Sequence, residues 1–127
     1  MKIKVVLVIE RDTDISTIIS YALIEDGFEC INYSDEFDAE TIVKIDPALL
    51  IISHDISSTG IDFCKKMKKN KITRHIPLIL TSTDMRLKDL AAECQANEFL
   101  HKPFDIDLLS SIVRQTIQTF ERNKVIP

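Results

Sequence analysis

Three short aliphatic runs constrain this chain most: KVVLVI (4–9), ALLIIS (48–53) and PLILTS (77–82). Each is almost unbroken rather than alternating apolar with polar. That pattern marks a strand covered on both faces, not one with a wet side. Strands of this kind need a layer above and a layer below, and the intervening segments supply them. RDTDISTIISYALIEDG (11–27) places Ile15, Ile18, Ile19, Ala22 and Leu23 on one helical face. Asp12 or Thr13 can cap its start and Gly27 can end it. FECINY (28–33) reads as a further strand. SDEFDAETIVKID (34–46) reads as a helix capped by Ser34 or Asp35 and stopped by Pro47.

IDFCKKMKKN (61–70) is a short helix with Phe63, Cys64 and Met67 inward and a solvated face of Lys65, Lys66, Lys68 and Lys69. Pro77 sits at the first position of its strand, where a missing N–H is tolerated. DMRLKDLAAECQ (84–95) aligns Leu87, Leu90, Ala91 and Cys94. NEFLH (97–101) is a short strand. The last helix (105–123) is buried through Leu109, Ile112, Val113, Ile117 and Phe120. The order is βα repeated five times. It predicts an α/β fold with a five-stranded parallel sheet and helices on both faces.

A chain of 127 residues with 45% hydrophobic content suits one domain with one core. We expect that domain over 1–122, with 123–127 a tail or the start of a linker. No apolar run approaches the roughly 18–20 residues of a membrane span, and MKIKVVLVIE meets acid too early for a signal peptide. The expected location is cytoplasmic. A net charge of −4 argues against nucleic-acid binding by bulk charge. Cys30, Cys64 and Cys94 lack metal-ligand spacing and read as reduced, mostly buried thiols.

In such folds the chemistry lies beyond the carboxyl ends of the strands. The residues found there are Glu10, Arg11 and Asp12, then Ser53 to Gly60, then Ser82 and Thr83, then His101, Lys102 and Pro103. FLHKPF (99–104), DPALLIIS…GIDFCKKMK, IPLILTST and VVLVIE…DI…LIEDGF fall in an order that resembles the receiver domain of bacterial two-component response regulators. The resemblance implies a flavodoxin-like three-layer (βα)5 sandwich. It also implies phosphoryl transfer from a kinase histidine to an aspartate ending strand three. Two acidic residues after strand one would help hold Mg²⁺, and a Ser or Thr and a Lys would hold the phosphoryl oxygens. By this resemblance Lys102 is the lysine, followed by a cis bond to Pro103. Ser82 is the hydroxyl, with Thr81 and Thr83 as rivals, and Phe99 is the switch aromatic.

The chain departs from the pattern at two positions. The second acid is Arg11, and Ser53 stands where the phospho-acceptor aspartate belongs. The loop from Ser53 to Gly60 is also one residue shorter than the usual pattern. Glu10, Arg11, Ser53 and Lys102 carry one negative and two positive charges, and adding Asp12 only neutralises them. Two unit charges about 4 Å apart at an effective dielectric of 20 repel by about 4 kcal/mol, so a divalent ion is disfavoured. We therefore expect Arg11 to take over the metal's electrostatic role by pairing with Glu10 or Asp55, and Lys102 to pair with a nearby acid. Asp55 reads as a surface or loop-capping residue, with a lesser alternative as acceptor. His54, His75 and His101 read as structural.

The expected function is a degenerate receiver: a protein-interaction module, not an enzyme, without metal or other cofactor. Its partner or its own dimer mate would dock on about residues 84–122, and an output domain could follow. It would neither bind nucleic acid directly nor touch a membrane. The alternative is an irregular but active phospho-acceptor using Asp55 or Ser53, with Mg²⁺. A cofactor-binding enzyme of similar fold would need a Gly-rich phosphate loop, and Gly27 and Gly60 are the only glycines.

Overall fold

The aliphatic runs are the inner strands of one parallel sheet, in a computed structural model that describes residues 3–34, 38–56 and 60–125. The chain runs β1 (Val5–Ile9), α1 (Thr13–Glu25), β2 (Glu29–Tyr33), α2 (Ala39–Ile45) and β3 (Leu49–Ser53). A single 3-10 turn (His54–Ile56) precedes α3 (Gly60–Lys69), β4 (Leu78–Ser82), α4 (Leu87–Glu93), β5 (Glu98–His101) and α5 (Ile106–Val125). The strand order is β2-β1-β3-β4-β5, all neighbours parallel. The α/β three-layer arrangement expected from the pattern is therefore present.

Successive side chains of a strand point to opposite faces, and both faces here are apolar. Leu7, Ile9, Leu50, Ile52, Leu78 and Leu80 pack beneath α2, α3 and α4. Val6, Val8, Leu49, Ile51 and Ile79 pack against α1 and α5. Each fully buried Leu, Ile or Val contributes about 1.5–3 kcal/mol, so this double core is what fixes the strand ends in space.

The helix termini explain several differences from the sequence reading. Asp12 caps α1 by accepting from the N–H of Asp14 at 2.9 Å and Ile15 at 3.2 Å. Gly27, at φ 92°, supplies the left-handed residue that ends it. α2 is capped by Asp38, whose Oδ1 accepts from Thr41 N–H at 2.8 Å, and not by Ser34. Asp35 lies outside the described residues. Ile18 is exposed rather than inward, whereas Ile19, Ala22 and Leu23 are buried and Ile15 packs partly buried against the same core.

The lysine face of α3 is not wholly solvated. Lys68 donates to Ile76 C=O at 3.0 Å and to Asn97 Oδ1 at 2.6 Å, tying α3 to the starts of β4 and β5. Burial pushes its pKa down. Cys64 and Cys94 are buried where α3 meets α4, and Cys30 is partly buried. α5 continues to Val125.

Candidate functional site

The strand order reverses at β1, between β2 and β3, and the crevice above that reversal collects the polar ends of four strands. Glu10 follows β1 and is held in line by its N–H donating to Tyr33 C=O at 2.9 Å. Ser53 ends β3 and Ser82 ends β4. Lys102 follows β5, with its N–H donating to Ser82 C=O at 2.9 Å and a cis bond to Pro103.

Lys102 is the hub. Its side chain is 6% exposed, and its Nζ lies 2.6 Å from Glu10 Oε1, 2.7 Å from Ser53 Oγ and 3.3 Å from Asp55 Oδ2. A buried ammonium alone costs several kcal/mol, and here two carboxylates compensate it. The Glu10 contact is close but off the hydrogen-bond axis, so Oε1 accepts no aligned hydrogen bond and the attraction is that of an ion pair. Glu10 Oε2 accepts from Asp12 N–H at 3.0 Å.

Asp55 is one refinement of the sequence reading, which counted it with the pocket residues but favoured a surface or loop-capping role. Its side chain stays 37% exposed yet turns into the crevice. The 3-10 turn after β3 folds it back into the crevice, where Oδ1 accepts from Ser82 Oγ at 3.0 Å. Its Oδ2 accepts from Thr83 N–H and from Lys102 Nζ, both at 3.3 Å. The turn can pack this tightly because the next helix begins with Gly60. A Cβ there would fall 2.7 Å from His54 Cα and 2.9 Å from His54 C=O oxygen. Ser82 supplies the hydroxyl, while Thr83 contributes its backbone N–H and Thr81 is buried in register with Ser53.

Arg11 is a correction. It is exposed, and the cation lying against Glu10 and Asp55 is Lys102. The charge count also changes, because Asp55 joins the cluster while the Asp12 carboxylate is engaged as the α1 cap. Two carboxylates thus surround one ammonium. His54 and His101 flank the crevice. The His54 Nδ1 is buried without a hydrogen-bond partner among the described residues, and the His101 ring lies tilted 6.0 Å from Phe99. Phe99 is half-buried against the core below α4.

Asp84 escaped the sequence reading and Thr83 entered it only as a rival hydroxyl, since backbone donors have no sequence signature. Asp84 N–H donates to Ser82 Oγ at 2.9 Å, and its carboxylate accepts from Arg86 N–H at 2.8 Å and from the Arg86 guanidinium. Hydrogen bonds from Arg86 hold the Asp84 carboxyl below the usual carboxylate range.

No protein-family model matches this chain. Three curated regulators do match it over most of its length. The phosphate regulon transcriptional regulatory protein PhoB of Pseudomonas aeruginosa is 26% identical over 123 residues, 89% of this chain and 53% of that protein. The alkaline phosphatase synthesis transcriptional regulatory protein PhoP of Bacillus subtilis is 27% identical over 121 residues, 93% of this chain and 50% of that protein. In sequence and in fold this chain is similar to response-regulator receiver domains. Among solved structures, a response regulator from Thermotoga maritima superposes with a TM-score of 0.79 at 19% identity, covering 92% of this chain and 99% of that one. At that identity the likeness carries the fold. The chain spans about half the length of the curated relatives it matches. No described helix is long and apolar enough to cross a membrane.

Receivers of this resemblance hold Mg²⁺ in the crevice, and the donor set here tests that fit. Mg²⁺ requires near-octahedral oxygen ligation, usually with carboxylates. In this chain Glu10, Ser53 and Asp55 already direct oxygens at the Lys102 ammonium, and Asp12 turns its carboxylate to the α1 amides. Among the described residues no group of three or more His, Cys, Asp or Glu side chains is arranged for a metal. The oxygens fit an ammonium rather than a dication.

Proposed function

We propose that this chain is a receiver-like protein-interaction module whose state is not set by phosphorylation of an aspartate, and that it uses no Mg²⁺. The observation that carries this reading is the environment of Ser53. Its side chain is at the position of the expected acceptor, and Ser53 is only 1% exposed. Its Oγ accepts from Lys102 Nζ at 2.7 Å and from Asp55 N–H at 3.2 Å, so both lone pairs are engaged. A nucleophilic hydroxyl needs a free lone pair and a base to take its proton. The nearest nitrogen is an ion-paired ammonium, which is not a base. Lys102 and Ser53 instead act as a fixed polar joint between the ends of β3 and β5.

The partner, or a second copy of the chain, docks in this reading through about residues 84–122. That stretch carries Met85, Ile106 and Leu108 as exposed apolar side chains. An output domain in a longer parent protein, and a cytoplasmic location, are consistent with the two-fold greater length of the curated relatives and their regulatory roles.

A second reading has one observation in its favour. Asp55 holds Ser82 and Lys102, the residue types expected around an acceptor carboxylate. Incubation with acetyl phosphate and Mg²⁺, followed by intact-mass measurement, separates the two. The first reading expects an unchanged mass. A hydroxylamine-labile phosphoryl adduct that maps to Asp55 establishes the second and sinks the first.

A further inference from the structure

We propose that the end of β4, Thr83 and Lys102 form an anion cradle, and that the chain's own Asp55 carboxylate is its permanent occupant, holding the β4–α4 junction in one state. This rests on the reading above in which Asp55 is not phosphorylated.

Three donors of different kinds converge on this one carboxylate: the Ser82 hydroxyl at 3.0 Å, the Thr83 backbone N–H at 3.3 Å and the Lys102 ammonium at 3.3 Å. A hydroxyl, an amide and an ammonium aimed at a common point make a preorganised oxyanion site. They come from two strand ends, so their convergence is set by the β4–β5 pairing, in which Ser82 lies opposite His101. Asp55 arrives from a third strand through the turn that Gly60 admits.

The carboxylate also has something to control. The Ser82 hydroxyl donates to Asp55 Oδ1 and accepts from Asp84 N–H at 2.9 Å. A hydroxyl has a single proton, so the anion fixes its rotor and leaves a lone pair facing Asp84. Asp84 then takes Arg86 N–H on its side chain, and its C=O accepts Leu87 N–H at 3.1 Å where α4 begins. Occupancy of the cradle is thereby linked through two hydrogen bonds to the first turn of α4. A relative that cycles between anion-free and anion-bound states would move here. In this chain the anion is tethered and the junction stays in its bound form.

The cradle predicts chemical rescue. Asp55→Ala removes the occupant and leaves Ser82, Thr83 and Lys102 in place. Acetate then supplies a free carboxylate, compared against chloride at equal ionic strength, with no phosphodonor or Mg²⁺ present. The expected result is a rise in the Tm of D55A that grows with the logarithm of acetate above its dissociation constant and reaches about 3–6 °C at tenfold that constant. The unmodified chain should respond no more to acetate than to chloride. The amide resonances of Thr83 and Asp84 should move in D55A and return with acetate, and Lys102→Ala in the D55A background should abolish the return. Equal responses of D55A to acetate and chloride overturn the proposal. So do Thr83 and Asp84 amides unaltered by the substitution.

Should D55A not fold, Asp55→Asn keeps the shape and removes the charge. Displaced Thr83 and Asp84 amides in D55N support the tethered anion, and unchanged ones refute it. The phosphorylation reading fails separately, by an adduct on the unmodified chain, and its failure leaves the acetate titration to decide the cradle by itself.

Discussion

Lys102 shows how much one side chain carries in this domain. Its ammonium is nearly sealed from water between Glu10, Ser53 and Asp55. Lys102→Met leaves Glu10 buried at 5% exposure with an uncompensated charge, which costs about 3–5 kcal/mol. Chemical denaturation should register that loss, and adding Glu10→Gln should recover much of it. Asp84 supports a pH prediction. Its folded carboxyl titrates below the unfolded one because of its hydrogen bonds from Arg86. Its contribution to stability is therefore complete above the ordinary carboxylate value and is lost as pH falls through the depressed one. Unfolding followed below pH about 4 should show a shallower acid loss in Asp84→Asn than in the parent, with the two converging at the acid extreme. Glu10, Ser53, Ser82 and Lys102 were legible from sequence, because a polar residue ending an apolar run has few places to point. Asp55 was legible as a pocket residue but not in its contacts, since nothing in HDI marks a 3-10 turn, and the cation set against Glu10 is Lys102 where Arg11 was expected.

At the scale of elements, the short turn between β3 and α3 decides what enters the crevice. Gly60 is tolerated there by the absence of a Cβ, not by an unusual φ. Gly60→Ala pushes against His54 backbone, which cannot swing aside as a side-chain tip would. The expected cost is about 1–3 kcal/mol by urea melt, with loss of the Asp55–Ser82 hydrogen bond visible as a displaced Thr83 amide. A variant as stable as the parent would mean that the turn is looser than its packing indicates. Strands and helix centres were readable because unbroken apolar runs and the 3.6-residue period report burial directly. Helix ends were less so. Asp38 capped α2 in place of Ser34, and α5 ran on to Val125, because capping depends on local backbone geometry that several nearby polar residues satisfy equally on paper.

For the whole molecule, the sheet supplies a receiver-like scaffold in which Arg11 and Ser53 stand at two positions where the resemblance implies acids. Arg11→Asp with Ser53→Asp restores a carboxylate at each of the two departing positions. This double variant should gain Mg²⁺-dependent, hydroxylamine-labile phosphorylation from acetyl phosphate, read by intact mass, where the parent gains none. Continued silence would mean that more than two side chains separate this crevice from its relatives. The fold itself was the most legible layer, because three doubly covered strands admit few architectures.

The crevice draws its parts from almost the full span of the polypeptide. Lys102 meets Ser53 across 49 residues and Asp55 across 47, and Ser82 meets Asp55 across 27. Neither half of the chain contains enough of these groups to assemble it. Its closure is thus a late event in folding, after β1, β3, β4 and β5 have all been laid side by side and their long loops closed. A nascent or cleaved fragment would present separate, water-facing charges with no affinity for one another. Only an intact, fully folded copy displays the finished surface, so any partner that senses the crevice is also sensing that the domain is whole.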